Sequence, residues 1–201
     1  METLEKTASV TLTNKALTEL LTGLLTHADT GKNAPAALNC IKLWATGGNI
    51  YGVATDRYRL IEGWTPAFKS ETDLPHQFEP VLIKAESVKA WLKELKSAGI
   101  GNSTLELADN NLYLYTGENI VASKVQDLTF PPHDYLFNHG EFKPVEVIAF
   151  NPDFLSDYAK FAQGVILKQE AKNKPYHIEF TGDLKFKEAT FRALLMPIKV
   201  N

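Results

Sequence analysis

PVLIKAESVKAWLKELKSAGIGNSTLELADNNLYLYTGENIVASKVQ, residues 80–126, holds a strand, a helix and three further strands in one uninterrupted run. PVLIK (80–84) is a short apolar strand. ESVKAWLKELKSAG (86–99) places Val88, Trp91, Leu92 and Leu95 on one helical face, and Gly99 lies beyond its end. STLELAD, NNLYLYTG and NIVASKVQ then alternate with period two, separated by turn-forming residues at Asp109–Asn111 and Thr116–Asn119.

Working outward from this run, the same order occurs on both sides. On the N-terminal side, ASVTLT (8–13) alternates as a strand, Asn14 is a candidate cap, and LTELLTGLLTHA (17–28) carries leucines at helical spacing. CIKLWATG (40–47), NIYGVATD (49–56) and RYRLIEGW (57–64) follow as three strands. On the C-terminal side, VEVIAF (145–150) predicts a strand and Asn151–Pro152 a capped helix start over DFLSDYAKFAQ (153–163). After a polar loop, YHIEFT, DLKFKE and TFRALLMPIKV (176–200) complete the third set. The repeat of roughly 65–70 residues is longer than a solenoid unit and reads as a duplicated supersecondary block. Each block is one small antiparallel sheet with one helix, too small to bury both faces alone.

Segments 65–79 and 127–143, rich in Pro, His and charge, read as surface linkers. The second carries two consecutive prolines and is the expected domain boundary. This places two blocks, at about 8–68 and 78–127, within 1–138 and one block within 139–201, and each block needs a neighbour to cover its open face.

The whole-chain numbers narrow the class. Net charge is -3 and pI about 6.0, so any nucleic-acid contact must rest on local positive charge. A single cysteine, Cys40, precludes an intrachain disulfide and fits a reducing compartment. METLEKTASV has no apolar signal core, and no run of eighteen apolar residues occurs; the expectation is a soluble, cytoplasmic protein without a membrane partner.

Three local stretches on this frame resemble the bacterial DNA polymerase III beta subunit, the DNA sliding clamp. GVATDRYRL (52–60) is similar to that family's ATD-x-H-R-L stretch, TFPPHDYLF (129–137) to its F-P-D-Y linker, and ALLMPIKV (193–200) to its terminal V-M-P-M-R-L. The chain departs from the pattern at Arg57 and Tyr58, where the family has a small residue and His, in its extra linker proline, and at its last residues Lys199, Val200 and Asn201. It also has three blocks against the family's six.

The resemblance implies an α+β DNA clamp fold of three βαβββ repeats, with antiparallel sheets outside and helices lining one face. It implies a non-catalytic processivity factor that encircles double-stranded DNA without reading sequence and tethers a DNA polymerase by a clamp-binding peptide, with a clamp loader as a further partner. It needs no cofactor or metal. Such a protein works in the bacterial cytoplasm or nucleoid, and a shortened version suits an infected cell. Clamp rings contain twelve blocks, so three per chain call for a homo-oligomer of four chains. The alternative within the fold is a decoy or regulator that binds polymerase or clamp partners without encircling DNA.

Carried over by position, the partner-peptide pocket would use Thr55, Tyr58, Arg59, Leu60, Pro131, Leu136, Met196, Pro197 and Ile198. An apolar floor with Arg59 offering donors at the rim is sound for peptide binding; Leu60, Leu195 and Met196 fit equally well as strand core. For DNA, Lys89, Lys93 and Lys96 recur on the helix face away from Trp91, Lys84 precedes them, and Lys15, Lys160, Lys168 and Lys172 are further candidates. The same lysines also fit the solvated face of amphipathic helices. The remaining reading is a metal-dependent hydrolase through His133, Asp134 and His139. The chain has no P-loop, dinucleotide fingerprint or nucleophile elbow, and its five histidines lack ligand spacing on a common helix.

Overall fold

A computed structural model describes residues 8–68, 76–138, 140–144, 148–171 and 174–198. The first block runs β1 (Ala8–Thr13), α1 (Asn14–Leu25), β2 (Cys40–Thr46), β3 (Asn49–Thr55) and β4 (Arg59–Pro66). The second runs β5 (Phe78–Lys84), α2 (Ala85–Ala98), β6 (Asn102–Ala108), β7 (Asn111–Thr116) and β8 (Asn119–Lys124). Their turns follow the local chemistry: Gly47 and Gly48 at φ 58° and 77° join β2 to β3, and Asp109 and Asn110 at φ 49° and 57° join β6 to β7. Gly99, at φ 67°, stops α2.

The start of α1 lies earlier than the sequence predicts. Thr13 is the cap, its hydroxyl accepting from the Ala16 amide at 3.0 Å. Asn14 is buried instead, donating to the Gly99 carbonyl at 2.9 Å and accepting from the Ser103 hydroxyl at 2.5 Å. A side chain with a partner in the other block is no longer free to cap its own helix.

The third block departs furthest from expectation. Its helix, α3, covers only Pro152–Tyr158. Residues 162–168, expected as helix end and polar loop, form β9 (Ala162–Lys168). β10 (Tyr176–Leu184) runs on through the expected gap at 182, DLKFKE forms no strand of its own, and β11 (Thr190–Leu195) ends the set. FAQ fits the helical face of Phe154 and Tyr158, but Gly164, Val165 and Ile166 next to it are poor helix formers and favour the extended chain. Of the strand expected over 145–150, residues 145–147 lie outside the described set, and 148–150 are not in a strand.

All strand pairs are antiparallel, and they form a four-stranded sheet, β1-β6-β7-β8, and a seven-stranded sheet, β5-β2-β3-β4-β11-β10-β9. The first two blocks therefore exchange their first strands: β1 pairs with β6, and β5 with β2. Leu17, Leu20, Leu21 and Leu24 of α1 and Val88, Trp91 and Leu95 of α2 fill one core with Leu43, Ile50, Ile83 and Leu105. This is the two-layer helix-on-sheet arrangement expected of a clamp unit.

The third block attaches through β11, which pairs with β4 over six residues, Thr190↔Trp64 to Leu195↔Arg59. Phe191 plugs this seam. A Cβ placed on Gly63 would lie 2.5 Å from its ring and one on Gly23 2.4 Å, so both positions are kept empty for it. Phe161 and Phe186 surround the ring at centroid distances of 5.2 and 5.4 Å. Glu19 of α1 fastens the next loop, accepting from the amides of Lys187, Glu188 and Ala189 at 2.8, 2.6 and 3.1 Å.

Candidate functional site

The loop between β3 and β4 is built by its own polar side chains. Thr55 Oγ1 donates to the Arg59 carbonyl at 2.7 Å and accepts from the Arg57 amide at 3.2 Å. Asp56 Oδ1 accepts from the amides of Tyr58 and Arg59 at 3.1 and 3.0 Å. This holds Arg57 at φ 79°, a left-handed conformation that glycine adopts without strain. The position is where the resembling family keeps a small residue. Tyr58, beside it, is exposed with its ring stacked against Phe154 at 6.0 Å.

Arg59 points inward, which corrects its expected place as a free fork at a pocket rim. Its guanidinium donates to Asp56 at 2.9 Å, to Asp157 of α3 at 2.6 Å and to the Thr26 carbonyl at 2.8 Å, and lies 4.5 Å over the Phe154 ring. Burial opposes the Arg59 charge, but its hydrogen bonds to Asp157 and Asp56 outweigh that and raise its pKa. Burial likewise opposes the Asp157 carboxylate, yet Lys160 and Arg59 hold it below its usual range. Next to this network His27, fully buried, is pushed well below the ordinary histidine range by desolvation and then by Arg59. The sequence cannot show this inward turn, because Asp157 lies 98 residues from Arg59.

The three stretches singled out in the sequence converge on the β4–β11 seam. Leu60 faces Thr55 across β3 and Leu194 across β11, and the Met196 amide donates to the Tyr58 carbonyl at 2.8 Å. The linker comes over them: Phe137, from the 3-10 turn Asp134–Phe137, packs with Val53, Leu60 and Leu194 in a separate apolar cluster, flanked by Trp44, Phe130 and Leu136. Thr55 and Leu60 are buried, Leu136 and Pro197 half-buried, and Pro131, Met196 and Ile198 exposed. The Ile198 amide donates to the Ala149 carbonyl at 2.8 Å. Val53, Phe130, Phe137 and Leu194 were not singled out in the sequence. The alternation of β3 did carry a signal for one of them, since Val53 shares a strand face with Thr55.

The candidate DNA-facing lysines divide into two groups. Lys84, Lys89, Lys93 and Lys96 are exposed on or beside α2, with no ion pair to a carboxylate among the described residues. Lys15 is exposed but pairs with Glu188 at 3.3 Å. Lys160 lies in the turn after α3 rather than on the helix, paired with Asp157 at 2.5 Å. Lys168 ends β9 instead of lying in a loop, and it pairs with Glu179. Lys172 lies outside the described residues, as does His139.

The linker also carries His133, buried beneath the 3-10 turn, 3.9 Å from Glu62 of β4 and 3.3 Å from Asp134. Arg192 of β11 holds the other Glu62 oxygen at 2.7 Å and lies 3.9 Å over Phe137. The sequence reading of His133, Asp134 and His139 as metal ligands missed Glu62, which only the packing of linker on sheet brings close to His133.

The fold so assembled is the fold of bacterial DNA sliding clamps. It is similar to the DNA polymerase III beta subunit of Thermotoga maritima (TM-score 0.79, 14% identity, covering 96% of this chain and 66% of that one). It is also similar to the sliding clamp of Pseudomonas aeruginosa bound to griselimycin (TM-score 0.75, 14% identity, 100% and 68%) and to that of Bartonella birtlesii, also bound to griselimycin (TM-score 0.75, 18% identity, 96% and 66%). The chain spans about two thirds of the length of those clamps. No protein-family model matches it, and no curated protein matches it in sequence. No described helix is long and apolar enough to cross a membrane.

Proposed function

We propose that this chain is a sliding clamp: a non-catalytic processivity factor that encircles duplex DNA and tethers a replicative polymerase by a peptide at the β4–β11 seam. The observation that carries the reading is the convergence, on a clamp fold, of the three stretches at one seam beneath the linker. Leu136, Met196, Pro197 and Ile198 supply accessible apolar surface there, with Pro131 and Tyr58 at its margin. Thr55, Leu60 and Arg59 act from below as supports. The four unpaired lysines on and beside α2 suit salt-sensitive contact with phosphates and no base reading.

Residues 1–138 would form the complete two-block domain and 139–201 a half domain. The half domain pairs with its counterpart in a second chain, and two such dimers close a ring of four chains. A monodisperse monomer or trimer at micromolar concentration would refute the ring. Retention on a nicked circular plasmid during gel filtration in moderate salt, without and with a clamp loader, tests encirclement. The expected result is retention on the circle and release once a restriction enzyme linearises it; equal retention on both forms would mean an ordinary DNA-binding surface.

One observation favours a second reading, a clamp-fold regulator that captures a polymerase or clamp partner without encircling DNA. Lys15, Lys160 and Lys168 are all paired with carboxylates, so the positive surface is concentrated around α2. Partner binding with no retention on either plasmid form, with or without loader, would support it.

A further inference from the structure

We propose that Glu62, His133 and Asp134 form a site for a transition-metal dication of the zinc type, which clips the linker to the sheet. The proposal does not rest on the processivity reading.

The geometry is unusual for a site holding only a neutral imidazole. His133 is 1% exposed, and its Nε2 is buried with no hydrogen-bond partner. Its Nδ1 lies 3.3 Å from the Pro131 carbonyl, an oxygen that can only accept, so this contact places the ring proton on Nδ1. The Nε2 lone pair then faces two carboxylate oxygens, Asp134 Oδ1 at 3.3 Å and Glu62 Oε2 at 3.9 Å. Three electron-rich atoms within 4.8 Å of one another, with no donor between them, repel unless a cation lies among them.

Their spacing suits a metal. Four ligands on zinc at about 2.0–2.1 Å stand about 3.4 Å apart in a tetrahedron. The His133–Asp134 pair, at 3.3 Å, meets that separation as it stands, Glu62 Oε2 lies 3.9 Å from His133 Nε2, and all three ligand atoms lie within 4.8 Å of one another, close enough for small side-chain shifts to gather them on one ion.

The surroundings provide what a metal ligand set needs. The Pro131 carbonyl fixes the tautomer of His133, and the Phe130 ring stands edge-on to the imidazole at 5.7 Å. Arg192 occupies Glu62 Oε1 at 2.7 and 3.1 Å, which leaves Oε2 as the oxygen turned toward the site and lowers its net negative charge. The Asp134 side chain is 86% exposed, giving the ion a way in and a place for a water as fourth ligand. The ion would be structural. It joins β4 to the turn that carries Leu136 and Phe137, and so fixes the linker over the apolar cluster.

The test uses the untagged full chain stripped of metal with a chelator, and zinc chloride as the probe. Equilibrium dialysis followed by elemental analysis is expected to give one zinc per chain. A saturating excess, about a hundred times Kd, should raise Tm by about 5 °C or more. Asp134→Asn changes an exposed side chain and should fold normally while losing at least ten-fold in zinc affinity. His133→Asn should abolish uptake, and circular dichroism checks its folding. No zinc bound at neutral pH, or zinc bound equally by wild type and Asp134→Asn, overturns the site. So does stabilisation by mild acid alone with no metal uptake, which would make the missing cation a proton on His133.

Discussion

Blocks one and two each lend a first strand to the other's sheet, β1 to β6 and β5 to β2, whereas the third block is joined by one sheet edge, β11 on β4. The exchanged pair shares a core beneath two helices of 12 and 14 residues, but the third block has a helix of 7. Ile166 and Leu184 in its outer strands are 43% and 44% exposed. Backbone pairing is also thinner there, with β10 on β11 over three residues against six for β6 on β7, and the side chains widen the difference. The exchanged blocks are held by many interchangeable aliphatic contacts, and the joined block by a few particular ones: Phe191 in its glycine-lined slot, Arg59 on Asp157, Glu19 on a loop backbone. Loss of one such contact should therefore be felt in the third block first.

The strongest way to break this contrast is Phe191→Ala. It should lower global stability by about 3–4 kcal/mol in urea denaturation, with hydrogen exchange rising first in β9–β11 and last in β6–β7. Uniform acceleration across both regions would show that the seam is no weaker than the exchanged pair. Arg59→Met leaves Asp157 Oδ2 and the Thr26 carbonyl without the Arg59 donor, and about 3 kcal/mol of destabilisation is expected. Chemical denaturation at neutral pH would measure it.

His27 sharpens the same comparison through pH. Its folded pKa is depressed and Asp157, Arg59 and Lys160 face it, so below about pH 6.5 the unfolded chain binds a proton that the folded one does not. Stability should be full above about 6.5 and fall by up to about 1.4 kcal/mol per pH unit as pH drops toward 5. His27→Phe should flatten that slope; an unchanged slope would place the sensitivity elsewhere. The smallest effect is expected at Arg57→Gly. It relieves the left-handed backbone but gains chain entropy in the unfolded state, for a net gain of at most about 1 kcal/mol in thermal unfolding.

Much of the fold was legible in the sequence because it is written in local periods. Leucines in α1, alternation in β6 and β7, and the Asp109–Asn110 turn each depend on residues close in the chain. The third block was misread at FAQGVILK because that string satisfies two periods, and burial of Phe161 and Ala162 at the start of β9 decides between them. Of the candidate site, the three stretches on the β4–β11 seam could be picked out from local sequence. The inward turn of Arg59, the cover of Phe137 over Leu60 and the approach of Glu62 to His133 could not.

The sequence by itself determined three blocks of one helix with several strands, which residues face a core, and where the chain turns. Tertiary structure alone decided that the first strands exchange, that β11 extends the sheet of β4, and which charged side chains become buried anchors. The physical reason is that periodicity specifies which face of an element is apolar, while the backbone donors and acceptors along a strand edge are alike for nearly every residue. Which edge pairs with which, and so which distant side chains meet, is settled only when the apolar faces pack.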